Sequence, residues 1–214
     1  MALSTYANLK TAIAGWLNVS ATDLSSQIDD LITVGENRIF REVRNRDMET
    51  AFSSTIASGV LALPTGYLAL KFAYINTSPV RTLERRSAEW VYQNYPWQSS
   101  SGIPLYIARD GSNLIFGPYP DSGYTVKGIY YQSPTPVSSS ANTLFTNNPD
   151  LYLMASLAEA GMIIGQDARV PIWEAKYQKI LADVNGVSKA EDQSGSSLQM
   201  RVGTMTTARV RGAN

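Results

Sequence analysis

The sequence lacks both histidine and cysteine, which restricts the chemistry that its side chains can perform. Histidine is the commonest general base and metal ligand, and cysteine supplies thiolate nucleophiles, soft-metal ligands and disulfides. Catalysis would therefore have to rest on carboxylates, lysine or tyrosine, or on a hard cation held by carboxylates. The missing cysteine also fits a reducing cytoplasm.

The carboxylates form no recognisable catalytic pattern. Asp29-Asp30 and Glu191-Asp192 are adjacent pairs. Neighbouring residues on a helix point about 100° apart, whereas a glycosidase needs two carboxylates that face one bond. Glu159 is a lone acid in an apolar run, where it could pair with Arg169 or with a neighbouring helix, and no second group places chemistry there. With no phosphate-loop, dinucleotide or EF-hand motif, we expect no catalytic, cofactor-binding or metal-binding residues and no enzymatic activity.

The composition is that of a globular protein. Of the 214 residues, 44% are hydrophobic and 17% are charged, which suits one domain with a small inserted module. Lys plus Arg and Asp plus Glu both number 18, and this balance argues against a dedicated nucleic-acid binder. The first residues have an amphipathic pattern and no basic segment, so we expect no signal peptide, and no apolar run is long enough for a membrane span.

Apolar residues at helical spacing predict four long helices. The first begins near Ser4 as its N-cap and the second spans 24–43. The third spans 150–164 and begins with Pro149 in its first turn. The fourth spans 172–187. Because none is stable alone, we expect these helices to pack into one body.

Between the second and third helices the helical period disappears and short β-like runs replace it. The predicted strands are 50–56, 60–63, 67–76, 105–109, 113–116 and 124–132, with a short helix over 87–95 and a linker or packed loop over 134–147. Asp110-Gly111 is a hairpin signal. The predicted fold class is α+β: a four-helix body (1–47 and 136–192) with an inserted small antiparallel β module (48–135) and an extended C-terminal tail (193–214).

Two sets of residues are candidates for contacts with other proteins. In the tail, which has three Arg and no acid, they are Leu198, Met200, Arg201, Val202, Arg209, Val210 and Arg211; a segment of this kind can add to a partner's sheet or groove, or can be a frayed end. In the module, they are Arg81, Glu84, Arg85, Arg86 and Glu89, which form a subunit contact, an anion site or a solvated face.

The module is also rich in aromatic residues, with ten between Trp90 and Tyr131. Large aromatic side chains fill small cores and concentrate at protein interfaces, and we expect both roles here. A platform on which sugars stack is the other reading of these aromatic residues.

Several motifs, in order, resemble those of the phage adaptor family of head-to-tail connectors. They are Pro64-x-x-Tyr67-Leu68-x-Leu70-Lys71, Gly102-Ile-Pro-Leu-Tyr106, Leu114-Ile-Phe-Gly-Pro-Tyr-Pro-Asp121, Tyr124-Thr-Val, Tyr130-Tyr131, Asn148-Pro-Asp-Leu-Tyr-Leu153, Leu157-Ala-Glu-Ala160 and Trp173-x-x-x-Tyr177-x-x-x-Leu181. The resemblance covers about 20–185.

The resemblance implies a structural protein of the virion, assembled in the host cytoplasm. Its partners would be itself, as a ring of 12 copies, the portal protein above the ring and the tail or nozzle below it. Genomic DNA would pass through the channel without sequence-specific binding, and a near-neutral charge suits this passage. The alternatives are a tail-associated wall hydrolase or carbohydrate-binding protein, or another head-completion or tail-terminator protein.

Overall fold

The structure, a computed structural model, describes residues 3–19, 25–96, 101–161 and 167–194, with backbone alone for residue 25 and for 188–194. The described helices are α1 (Tyr6–Leu17), α2 (Ser25–Glu42), α3 (Ala88–Asn94), α4 (Thr143–Asn147), α5 (Pro149–Ala158) and α6 (Val170–Ser194), and a single 3-10 turn spans Arg46–Met48. The fold is a mixed α+β arrangement in which most helices flank a block of strands in the sequence.

The helices outside the strand block share one hydrophobic core. Helix α5 lies at its centre and contacts α1, α2, α4 and α6. Seven consecutive residues of α5, Leu151 to Leu157, are buried, as expected of a helix that has neighbours on every side. The approach of α2 is close enough that a side chain on Gly35 would come within 3.0 Å of the Ser156 nitrogen, so glycine is required at this crossing.

The strands form two four-stranded sheets. They are β1 (Glu49–Ile56), β2 (Val60–Ala62), β3 (Tyr67–Ile75), β4 (Arg81–Thr82), β5 (Glu84–Arg85), β6 (Tyr106–Asp110), β7 (Asn113–Gly117) and β8 (Tyr124–Gln132). Sheet A has the order β1-β8-β3-β4 and sheet B the order β2-β7-β6-β5. The two sheets enclose a second core, which includes Ile56, Leu70, Val126 and Tyr130 from sheet A with Ile107, Leu114 and Phe116 from sheet B.

The outer faces of the two sheets differ in what covers them. Helix α3 packs on the outer face of sheet B, where Val91 meets Ala108 and Ile115 in a small third core. On the outer face of sheet A, Phe72 is 44% exposed. The sandwich therefore has one covered outer face and one partly open one.

Most predicted elements are present within one or two residues of their expected bounds, including the Asp110-Gly111 hairpin between β6 and β7. Several details of the prediction are wrong. Helix α1 begins one residue later than expected, because Thr5 caps it and accepts a hydrogen bond from the Asn8 N–H. Helix α5 ends at Ala158 instead of 164, with Glu159 at its C-cap, and α6 is longer than predicted at both ends.

The strand block also differs from a purely antiparallel module. Strands β5 and β6 pair in parallel, with Glu84 opposite Tyr106, and neither β4 nor β5 was predicted. The segment 134–147 is packed and not a free linker, because Val137, Leu144 and Phe145 are buried in the helical core and the last two lie on α4. Among the described residues, helix α4 is therefore an additional helix of the helical part that was not predicted.

Candidate interaction surfaces

The densest group of charged side chains surrounds Arg38 of α2. Its guanidinium forms two hydrogen bonds with Glu174 of α6, at 2.6 and 2.8 Å, and a third with Glu159 at 3.0 Å. Glu42, one turn along α2, accepts a bond from the Arg38 Nε at 3.3 Å. The cation sought for Glu159 therefore lies on a neighbouring helix, and Arg169 pairs with Asp167 instead.

This charged group ties three helices together. The Arg38 guanidinium also stacks on the Tyr177 ring at 4.4 Å, and the Tyr177 hydroxyl donates to Glu42 at 2.7 Å. The hydrogen bonds from Arg38 hold the pKa of Glu174 below its usual value, against the effect of partial burial. Since Arg38 lies between the carboxylates, they face a fixed cation and not an open cleft in which a bond could be cleaved.

No group of three or more acidic side chains in the described residues is arranged to hold a metal ion. Within the same part of the chain, no helix is long and apolar enough to cross a membrane.

The predicted charge cluster of the module lies along one edge of the sandwich. All five of its residues are exposed; they are Arg81 on β4, Glu84 and Arg85 on β5, Arg86 just after β5, and Glu89 on α3. Arg86 pairs with Glu84 at 2.6 Å and stacks over the Trp90 ring at 5.0 Å. The structure therefore brings the residues together at the surface, which both a subunit contact and a solvated face would require.

One residue of this cluster has a definite local role. The Arg85 guanidinium donates to the Leu70 carbonyl at 2.9 Å, and the Leu83 N–H bonds the Ala73 carbonyl at 2.9 Å. The carbonyl groups of Leu70 and Ala73 lie on the side of β3 that faces β4. Because β4 has only two residues, it leaves most of this side of β3 without a strand partner. Arg85 thus protects this edge of sheet A from further strand pairing.

Those aromatic residues of the module that the structure describes do not form one platform. Phe116 and Tyr130 are buried in the sandwich core. Trp90 meets the rings of Tyr106 and Tyr95 edge-on, at 62° and 64°. Since the planes cross and most of the ring area faces protein, the aromatic residues act chiefly as packing material, while Tyr92 remains 44% exposed.

The opposite edge of sheet A is different, because β1 is long and open. It pairs with β8 over eight residues, from Glu49 to Ile56, and no other backbone hydrogen bond of the described residues reaches it. A trough of about 460 Å³ lies beside it on the outer face. The trough is mostly apolar and is lined by Ala51, Phe52, Ser53, Phe72, Tyr74, Lys127, Gly128 and Ile129.

Sequence reasoning missed this edge. Natural edge strands are usually interrupted by lysine, proline or a bulge, and the β1 sequence ETAFSSTI contains no lysine or proline. Strand order cannot be derived from one sequence, so nothing indicated that this strand would lie at an edge. The seven tail candidates, Leu198, Met200, Arg201, Val202, Arg209, Val210 and Arg211, lie outside the described residues.

The comparison with protein families gives the class as a structural protein of bacteriophage, which is not an enzyme class. The chain belongs to the SU10 adaptor protein family, whose model matches residues 4–204. This confirms the resemblance to phage adaptors and supports a place in the virion. A search among curated proteins gives no match.

Proposed function

We propose that this chain is the head-to-tail adaptor of a bacteriophage connector and that it acts as a ring of 12 identical subunits beneath the portal. The ring extends the DNA channel and offers the docking surface for the tail or nozzle. The observation that carries the proposal is the family match over residues 4–204. The absence of net charge supports it, because a lining rich in Lys and Arg would bind the phosphates of passing DNA.

Under this proposal, each part of the chain has a separate role in the connector. Residues 1–47 and 136–192 form the ring body, 48–135 face the tail, and 193–214 dock on the portal. The separate helical and sandwich cores support the first division. The charge cluster of Arg81, Glu84, Arg85, Arg86 and Glu89 is then a subunit contact, since it is exposed and mixed in sign.

No observation favours a wall hydrolase or a carbohydrate-binding protein. Glu42, Glu159 and Glu174 converge on Arg38, and the described rings of Trp90, Tyr95 and Tyr106 pack on one another. A head-completion or tail-terminator protein would occupy another level of the same connector. It would therefore contact other proteins than an adaptor that lies directly beneath the portal.

The docking role is tested by truncation after Ser197. The truncated protein should still fold and melt cooperatively, because both described cores are built from residues that precede the cut. It should lose most of its binding to portal rings in a pull-down assay. A variant with Arg201, Arg209 and Arg211 changed to Gln should lose binding in part, since it keeps the apolar residues. If the truncated protein binds portal as well as the full chain does, the helical body carries the contact instead.

A further inference from the structure

The four edges of the two sheets are unequal. Three of the edge strands are very short: β2 has three residues, and β4 and β5 have two each. The fourth, β1, has eight. A short edge offers too few backbone groups to hold another strand, whereas a long regular edge is a template for one. The β1 edge is therefore where strand addition is favoured.

The side chains at this edge favour a strand with large apolar residues on one face. On the outer face of sheet A, the row from the edge inward is Ala51, Ile129 and Phe72, and the next row is Ser53, Lys127 and Tyr74. The β1 members are small and the β3 members are large. The trough therefore has a low wall on the β1 side. An added strand next to β1 could lay long side chains over Ala51 and Ser53.

One segment of this chain has the matching pattern. In Leu198-Gln-Met-Arg-Val202, apolar and polar residues alternate strictly, which is the period of a strand with one apolar face. Its three apolar side chains all fall on one side, where they would cover the trough, and Gln199 and Arg201 fall on the other.

The chain that follows Asn185 is long enough for this segment to reach β1. Asn185 of α6 accepts a hydrogen bond from the Arg44 N–H at 3.0 Å and donates to the Glu42 carbonyl at 3.3 Å. Residues 42–44 lie just ahead of β1. From Asn185 to Ser194 the helix adds about 14 Å, and the next four residues reach a further ~14 Å. Together these two lengths are comparable to the ~26 Å of an eight-residue strand, so the segment can reach positions alongside β1.

We propose that, in the unassembled subunit, residues 198–202 of the same chain add to the open edge of β1 as a fifth strand of sheet A, with Leu198, Met200 and Val202 in the trough. This pairing fills the edge that the fold leaves unprotected. It also holds the tail until a partner competes for it. The proposal concerns the isolated protein and does not depend on what the tail binds in an assembly.

Disulfide formation tests the pairing directly, because the natural chain has no cysteine. Ser53→Cys is combined in turn with Leu198→Cys, Met200→Cys and Val202→Cys, and with Gln199→Cys as the control on the opposite face. The best apolar position should form an intramolecular bond at least about tenfold faster than position 199, since only one face presents side chains at bonding distance. Equal rates, or bonds mainly between chains, would overturn the proposal.

Hydrogen exchange tests the same pairing without cysteine. Amides in 50–55 should exchange at least about tenfold more slowly in the full chain than in the chain truncated after Ser197, because strand addition protects the outer amides of β1. Met200→Asp should abolish this difference, while the charge-matched Gln199→Asp should retain most of it. Identical exchange in the full and truncated chains would refute the strand addition, whether or not truncation affects portal binding.

Discussion

The helical part and the sandwich are held together in different ways. All three buried polar or charged residues of the described chain, Glu36, Asn45 and Ser156, belong to the helical part or its junction with β1. There, side chains such as Arg38 fix one helix against another. In the sandwich, the backbone ladders provide this specificity and the core is apolar. A helix makes its backbone hydrogen bonds internally, so side-chain contacts must determine how it packs on other helices. A sheet, by contrast, leaves backbone N–H and C=O groups unpaired at its edges.

The difference explains where an open backbone edge lies. In the helical part the charges around Arg38 pair with one another, whereas the sandwich leaves the outer edge of β1 without a strand partner among the described residues.

Leu157→Asp should prevent folding of the helical part. Leu157 is fully buried at the centre of the helical core, and an unpaired carboxylate placed there costs several kcal/mol. Circular dichroism should show loss of the cooperative melt. Leu157→Met, which conserves volume, should cost less than about 1.5 kcal/mol. A soluble, cooperatively melting Leu157→Asp protein would contradict the position of α5.

Gly128→Ala is the corresponding change in the sandwich. A Cβ at this position would lie 2.4 Å from the Phe72 carbonyl oxygen and 2.7 Å from the Phe52 ring. Since backbone must move to accept it, we expect a loss of about 2–3 kcal/mol in the free energy of unfolding by denaturant. Gly123→Ala is the control, because its nearest neighbour would be a Thr55 methyl group at an ordinary 3.7 Å. Equal stability of the two variants would show that the sheet is not packed as described.

Arg38→Met tests the charged contacts of the helical part. The substitution leaves Glu159, whose side chain is 17% exposed, without its cation. Because Glu174 is more exposed and solvent screens it, the expected loss is about 1–2 kcal/mol, less than for a fully buried pair. Arg41→Met, at an exposed position of the same helix, should change stability by less than about 0.5 kcal/mol. Similar losses in both variants would mean that Arg38 does not join the helices.

Glu36→Gln should alter the pH dependence of stability by a smaller amount. Burial raises the pKa of Glu36, although its carboxylate accepts a 2.7 Å hydrogen bond from the Val137 N–H. A carboxyl whose folded pKa is raised binds its proton more tightly in the folded state, so it destabilises the fold as pH rises from the unfolded pKa through the folded one. The neutral glutamine avoids this cost and can still accept the bond.

The variant should therefore gain up to about 1 kcal/mol relative to the natural protein at neutral pH. The gain should fade as the pH is lowered through the raised pKa, as measured by thermal melts at several pH values. A gain that is constant with pH would show that Glu36 does not titrate as proposed.

The sequence predicted the strongly periodic elements and failed where periodicity is absent. Strand β8 was predicted with its observed bounds, because residues 124–132 combine strand-forming residues with clear turns on either side. Strands β4 and β5 were missed because each has two exposed polar residues that carry no pattern. Helix α5 ends at Ala158, whereas the prediction extended it to 164 because the apolar run continues beyond Glu159.

For the candidate surfaces, the sequence indicated which side chains lacked an obvious partner but not which residues would pair with them. Glu159 clearly required a cation, yet Arg38, 121 residues earlier, and Arg169 were equally acceptable without the fold. The open β1 edge depends on strand order, which long-range pairing decides. The family motifs, by contrast, could be recognised from the sequence, because their order along the chain does not depend on knowing the tertiary contacts.

The central claim, that this chain forms a connector ring, is tested most directly by electron microscopy of the purified protein with and without the portal rings of the same virion. We expect a closed ring of 12 subunits seated on the portal, and monomers when the portal is omitted. Portal rings with no added density, or with isolated subunits that do not close, would contradict it.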